Sequence, residues 1–266
     1  MERIRSGDAE IVYEVMGEGP PVVLLHPFPA HHGFWAPLAE RLATRYRVIL
    51  PDLRGHGDSE VGEGPATMEK HAADLARVCD AAEAGRAVFV GVSIGGYILF
   101  EFWRRSRPRV RALVLSDTRA QADTAEGRAN RLKAAEEVLQ RGPEPFIDAM
   151  LPKLLGESTR QGRPDLVQAA KRMMMKMSAQ GIAQVQRGMA ERPDSVETLK
   201  SIQAPTLLLV GGEDTLTPVA DAEFMRQNIS GSQLRIIARG GHYAAFEQSE
   251  AALPLLRQFL DGLTAH

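Results

Sequence analysis

Short apolar runs alternate with longer amphipathic stretches along most of the chain. Ala9 to Val15, Val22 to His26 and Arg47 to Leu50 read as strands. Val88 to Val92, Ala112 to Leu115, Thr206 to Val210 and Leu234 to Ile237 continue that series. Several of these runs are continuously apolar, the pattern of parallel strands covered on both faces. Between them Phe34 to Thr44, Thr67 to Ala84, Ile94 to Arg105, Ala220 to Asn228 and Ser249 to Leu263 have helical spacing. The alternation predicts an α/β fold with a mostly parallel central sheet flanked by helices.

From Ala120 to Lys200 the rhythm breaks. No strand-like run occurs there, and Pro143, Pro164 and Pro193 divide the stretch into helical pieces. The expectation is a core built from residues 1–119 and 201–266, with an all-helical lid of residues 120–200 inserted between two strands. Met150, Met173, Met174, Met175, Met177 and Met189 lie in the lid. They read as packing between short helices or as an adaptable apolar wall for a substrate.

Composition narrows the class. Hydrophobic residues make up 44% of the 266 positions, enough for a sizeable core, and 32 basic against 34 acidic residues leave a formal net charge of −2. That balance argues against a chain built to hold nucleic acid or an acidic membrane. The cluster Arg104, Arg105, Arg107, Arg109 and Arg111 reads as a solvated helix end and loop. Cys79 is the single cysteine, so no intramolecular disulfide can form, and its helical context suggests a buried, inert thiol. The N-terminus Met1 to Ser6 lacks an apolar signal region and no run of 18 apolar residues occurs. The cytoplasm is therefore the default location, with no membrane partner expected. Self-association into a homo-oligomer is compatible with the sequence.

Candidate chemistry starts at Gly91-Val92-Ser93-Ile94-Gly95, directly after the apolar run Ala87 to Val90. This is a G-x-S-x-G elbow where a strand turns sharply into a helix and exposes a serine. A serine hydroxyl needs a base, an orienting acid and an oxyanion site to become an effective nucleophile. Asp214 follows the strand Thr206 to Val210, and His242 follows the strand ending at Ile237. Parallel strands deliver all three loops to one sheet edge. Of the seven histidines, His242 alone lies beyond Asp214 in a loop, apart from terminal His266. An imidazole there can accept the Ser93 proton and return it to a leaving group. Glu213 neighbours Asp214 but is expected to point elsewhere, and Asp117, also after a strand, is an alternative acid. The oxyanion donors should be backbone N–H groups. Ile94 supplies one, and in His26-Pro27-Phe28-Pro29 both prolines lack an N–H, so Phe28 is the central donor available.

These motifs, together with Asp52-Leu53-Arg54-Gly55-His56-Gly57-Asp58-Ser59, Gly212-Glu213-Asp214 and Gly241-His242, resemble the α/β-hydrolase superfamily across nearly the whole chain. The resemblance is greatest to its small esterases, enol-lactonases and cofactor-free perhydrolases. It implies the α/β-hydrolase fold with an inserted helical lid, Ser93, Asp214 and His242 as catalytic triad, and Phe28 and Ile94 as the oxyanion hole. Pro27 departs from the pattern, since many relatives carry glycine there. The resemblance also makes Asp52 to Ser59 a structural turn rather than a metal site. His31 and His32 are expected at the surface, and His26, Trp35, Tyr97, Met150 and Tyr243 are candidates for substrate contact, each with packing as its plainer role.

A serine at the elbow favours acyl transfer to water, whereas dehalogenases and epoxide hydrolases of this fold use aspartate there. The expected activity is cleavage of small or medium acyl or aryl esters through an acyl-enzyme. A lactonase, a C–C hydrolase or a perhydrolase on the same residues are the alternatives, and a non-catalytic receptor is a more distant one. The expected partner is a small-molecule ester or lactone, and neither metal nor organic cofactor is called for.

Overall fold

The protein is described here by a computed structural model covering residues 1–264, so His266 lies outside the described residues. Eight strands form one sheet: β1 (Glu2–Ser6), β2 (Ala9–Met16), β3 (Pro21–Leu25), β4 (Arg47–Pro51), β5 (Ala87–Val92), β6 (Val110–Ser116), β7 (Thr206–Gly211) and β8 (Gln233–Ile237). Their order across the sheet is β1-β2-β4-β3-β5-β6-β7-β8. The pairings β1–β2 and β2–β4 are antiparallel and every later pairing is parallel. Every residue of β5 and β7 is buried, as their unbroken apolar sequences require.

One strand is illegible in the hydrophobic pattern. β1 reads Glu-Arg-Ile-Arg-Ser, and its outer residues are exposed. It exists because Ser6 pairs with Ala9 across the two-residue turn Gly7-Asp8, with Gly7 at φ +58°. An edge strand with one neighbour needs backbone partners more than apolar side chains.

Core helices are α1 (Ala36–Leu42), α2 (Met68–Ala81), α3 (Ile94–Ser106), α10 (Val219–Asn228), α11 (Ala244–Glu247) and α12 (Ser249–Thr264). A short 3-10 turn over His32–Trp35 replaces the first part of the predicted helix Phe34 to Thr44. Between β6 and β7 lie helices alone: α4 (Ala125–Arg141), α5 (Pro143–Leu154), α6 (Glu157–Gly162), α7 (Pro164–Met174), α8 (Ala179–Ala190) and α9 (Val196–Ser201). Pro143 and Pro164 open α5 and α7, where a missing N–H costs nothing. Thr124 and Ser178 cap α4 and α8 by accepting from the N–H groups of Gly127 and Gly181 at 3.1 and 3.0 Å.

Helix α8 of the insertion lies close on the loops between β4 and α2. A Cβ on Gly188 would fall 1.9 Å from the Ala66 carbonyl oxygen, and one on Gly181 would fall 2.3 Å from that of Gly55. Side-chain-free positions seven residues apart thus let one helix face lie on backbone. Met173, Met174 and Met177 pack in the core, while Met175 is exposed. Cys79 is buried, and burial pushes its thiol up to about 12. Among the described residues no helix is long and apolar enough to cross a membrane.

Candidate active site

The elbow after β5 is built from crowding. Ser93 sits at φ 55°, ψ −114°, a region that side chains rarely adopt. A Cβ on Gly91 would lie 2.5 Å from the Gly95 carbonyl carbon, and one on Gly95 would lie 3.0 Å from the Leu25 carbonyl oxygen. Space therefore demands glycine at 91 and strongly favours it at 95. The strained backbone is held from several sides: the Ser93 N–H donates to the Ser116 oxygen at 2.9 Å, and the Thr118 hydroxyl donates to the Ser93 carbonyl at 2.8 Å. Such multiple anchoring is what lets a costly conformation persist.

Two further strands deliver the partners. His242, after β8, has its Nδ1 2.8 Å from Oδ2 of Asp214, after β7. Asp214 Oδ1 accepts from the N–H groups of Leu216 and Thr217 at 2.8 and 3.1 Å, and Oδ2 also accepts from the Thr217 hydroxyl at 2.6 Å. Burial opposes the Asp214 charge, but His242 and these donors outweigh it and hold the carboxyl below its ordinary value. Ser93 and His242 line one cavity of about 490 Å³ with Phe28, Tyr97, Phe146 and Met150. Among the described residues, the N–H groups of Phe28 and Ile94 have no protein acceptor. Ile94 opens α3, where the first amides have no partner within the helix.

Asp117 occupies a different position from Asp214. Its Oδ1 accepts from the Gly211 N–H at 2.7 Å and its Oδ2 from the Ser116 hydroxyl at 2.7 Å, and no bond joins it to His242. Burial first, then the nearby Asp214 charge, raise its pKa well above the usual carboxylate range. Glu213 does point elsewhere: its carboxylate accepts from the Ser158 N–H at 2.8 Å and the Ser158 hydroxyl at 2.5 Å.

The candidates for substrate contact divide. Tyr97 and Met150 line the cavity, and so does Met189. His26, Trp35 and Tyr243 are fully buried outside its lining. Trp35 packs edge-on to Phe34. His26 accepts from the Leu53 N–H at Nε2 (2.9 Å), which leaves Nδ1–H to donate to the Pro27 oxygen at 2.9 Å. Burial lowers its pKa to about 4. Tyr243 donates to the Phe28 carbonyl at 3.4 Å. Both therefore brace the His26-to-Pro29 loop from behind. His31 corrects another expectation, because it is buried and its Nδ1 accepts from the Gly33 N–H at 3.1 Å.

His31, His32 and Asp52 bring possible ligand atoms within 4.8 Å of one another. The Asp52 oxygens already serve the turn: Oδ1 accepts from His32 N–H and meets His32 Nδ1 at 2.7 Å, while Oδ2 accepts from the Asp58 N–H at 2.9 Å. Arg54 makes a two-pronged pair with Asp74 at 2.8 and 2.9 Å. The segment from Asp52 to Ser59 is accordingly a hydrogen-bonded turn, and a cation would have to displace its own framework.

Thr217, Arg119, Arg131 and Phe146 line the cavity without having been singled out in the sequence. Only Thr217 had a local signal, a hydroxyl three residues after an aspartate, where side chains commonly bond nearby backbone.

Compared with known proteins, the profile of a family described as the alpha/beta hydrolase fold matches residues 20–249. A solved thermophilic esterase from Thermogutta terrifontis is similar, with a TM-score of 0.96 and 38% identity over 99% of each chain. The chain is also 28% identical over 244 residues to 3-oxoadipate enol-lactonase 1 of Acinetobacter baylyi, covering 92% of this chain and 90% of that protein. It is 27% identical over 261 residues to a pimeloyl-acyl-carrier-protein methyl ester esterase of Neisseria meningitidis, covering 91% and 94%.

Proposed function

The chain belongs to the alpha/beta hydrolase fold family, and from that premise we propose that it is a serine hydrolase cleaving carboxylic esters through an acyl-enzyme. The observation that carries the reading is one cavity shared by a strained serine at a helix start and a histidine bonded to a buried aspartate. Residues 120–200 serve as the cap over this cavity, with Met150 and Met189 in its apolar wall.

Ser93 Oγ attacks the ester carbonyl carbon as its proton passes to Nε2 of His242. Nδ1–H of the same ring stays on Asp214 Oδ2, which keeps the tautomer and faces the imidazolium as it forms. The Phe28 and Ile94 N–H groups donate to the oxyanion in the tetrahedral intermediate. Collapse breaks the bond to the alcohol, which leaves with the proton from His242. Water, deprotonated by His242, then attacks acyl-Ser93, and the acid departs as the Ser93 hydroxyl is restored. A lactone runs the same course with alcohol and acid tethered, and the enol-lactonase relative makes lactone opening the second reading.

Ser93→Ala should lower turnover of a short aryl ester about a thousandfold or more while keeping the thermal melt. Wild-type rates in that folded variant would sink the reading. Asp214→Asn should cost about a thousandfold through the wrong tautomer, and Asp117→Asn less than about tenfold. The reverse order would move the acid to Asp117. A panel of esters and lactones graded by acyl length separates the two substrate readings.

A further inference from the structure

The cavity wall is unbalanced in charge. Among the described residues its lining includes four cations, Arg119, Arg131, Arg141 and Lys153, against one acid, Glu137. Glu137 itself lies 3.7 Å from Lys133, a residue outside that lining. Behind the wall a single carboxylate serves two guanidiniums: Asp123 pairs with Arg131 at 2.5 Å and with Arg192 at 2.8 Å. The Arg192 side chain is only 3% exposed, and its guanidinium lies 4.2 Å over the ring of Tyr97, itself a wall residue. Arg119 donates to the Leu216 carbonyl but has no close carboxylate, since Asp221 comes no nearer than 3.7 Å and the buried Nε has no hydrogen-bond acceptor.

Arg141 and Lys153, both exposed, have no ion pair among the described residues. They stand in the last turns of α4 and α5, where a cation offsets the helix dipole. That accounts for where those two side chains stand, while their unpaired charges add to those of Arg119 and Arg131 around the same cavity. Positive charge held in a partly apolar concavity is costly until an anion answers it, and the same concavity focuses its field on an entering ligand.

We infer that this cavity takes substrates bearing a free carboxylate distant from the bond that is cleaved. The inference rests on the esterase reading for the chemistry, but the anion subsite can be tested apart from turnover. With that carboxylate on the acyl part, hydrolysis leaves a dicarboxylate, so glutarate is the matching probe and pentanoate its singly charged control.

Calorimetric titrations of glutarate and pentanoate into the wild-type protein and into Arg141→Gln/Lys153→Gln decide the subsite. The two exposed positions spare Arg131, whose bonds to Asp123 and Gln186 hold the wall together. Wild-type protein should prefer glutarate about tenfold, and the preference should fall to about threefold or less in the double variant and in 1 M NaCl. Equal affinity for the two acids, failure of both to bind, or a preference untouched by the variant and by salt would overturn the inference. Mono-4-nitrophenyl glutarate and 4-nitrophenyl pentanoate test it in catalysis, where kcat/KM should favour the carboxylate ester by the same factor. Turnover of the neutral ester that Ser93→Ala abolishes, with no preference for the charged one, removes the anion subsite and leaves the hydrolase reading intact. No Ser93-dependent turnover of either ester removes the hydrolase reading, and the titrations then decide the subsite alone.

Discussion

The sheet layer and the helical insertion share one apolar core but differ in how far burial alone fixes each of them. Strands β3, β5, β6 and β7 bury nearly every side chain, so loss of any one leaves a cavity in a continuous apolar core. In the insertion, α4 spans Ala125–Arg141 but buries just Ala135 and Val138. Its neighbours α5, α7 and α8 do bury apolar residues in the common core, and discrete polar bonds fasten the stretch around α5 and α6 as well. Glu247 accepts from the Gly156 N–H at 2.8 Å with one oxygen and from the Gly241 N–H at 2.9 Å with the other. Glu213 holds Ser158, and the Tyr243 N–H donates to the Leu154 oxygen at 3.0 Å. The α5–α6 junction in the middle of the insertion is thus tied to the loops that carry Asp214 and His242. Burial makes a rigid frame, whereas a few directed bonds decide where the wall of a cavity stands.

Breaking the frame should have the largest effect. Leu24→Ala, at a fully buried position, should cost about 2–5 kcal/mol in chemical denaturation. Leu132→Ala on exposed α4 should stay within about 0.5 kcal/mol. Similar losses at the two sites would erase the contrast.

Acid should act on the frame next. The ordinary histidine pKa is 6.5, and burial lowers His26 to about 4 and His56 to about 3. The folded state therefore binds fewer protons than the unfolded state, and stability is complete above pH 6.5 and declines as pH falls towards 4. For His26 alone the loss by pH 4 is about 3 kcal/mol, the linkage equivalent of its shift. Asp214, lowered in the fold, adds its own loss only below the ordinary carboxylate value of 3.8. Melting temperatures across pH 4–7 that stay flat would contradict buried neutral histidines, and His26→Gln should flatten the slope.

The fastening of the insertion gives the smaller, more local effect. Glu247→Ala leaves two buried N–H groups without acceptors and should cost about 2 kcal/mol. Hydrogen exchange should then quicken around α5 and α6 while β5 keeps its protection. Equal loss of protection in β5 would mean that insertion and sheet open as one unit.

Much of the frame was legible because burial on both faces writes itself as an unbroken apolar run, and because the elbow glycines answer to local crowding. The chain order of Ser93, Asp214 and His242 was legible for the same reason, since parallel strands place successive loops at one edge. β1 escaped because an edge strand needs few apolar residues. The apolar wall was half visible: Met150 and Met189 line the cavity, but Met173, Met174 and Met177 are packing.

What the sequence by itself determined, then, is the alternating layer and the loops that carry candidate chemistry, because those follow from periodicity over a few residues. Tertiary structure alone decided that His26 and Tyr243 brace the Phe28 loop from outside the cavity lining. It also decided that Thr217 joins the Asp214–His242 pair and that cations outnumber acids around the cavity. Those outcomes depend on side chains converging from segments as far apart as Phe28 and Tyr243, 215 positions along the chain. Local pattern sets which face of a helix is apolar; only packing sets what that face meets.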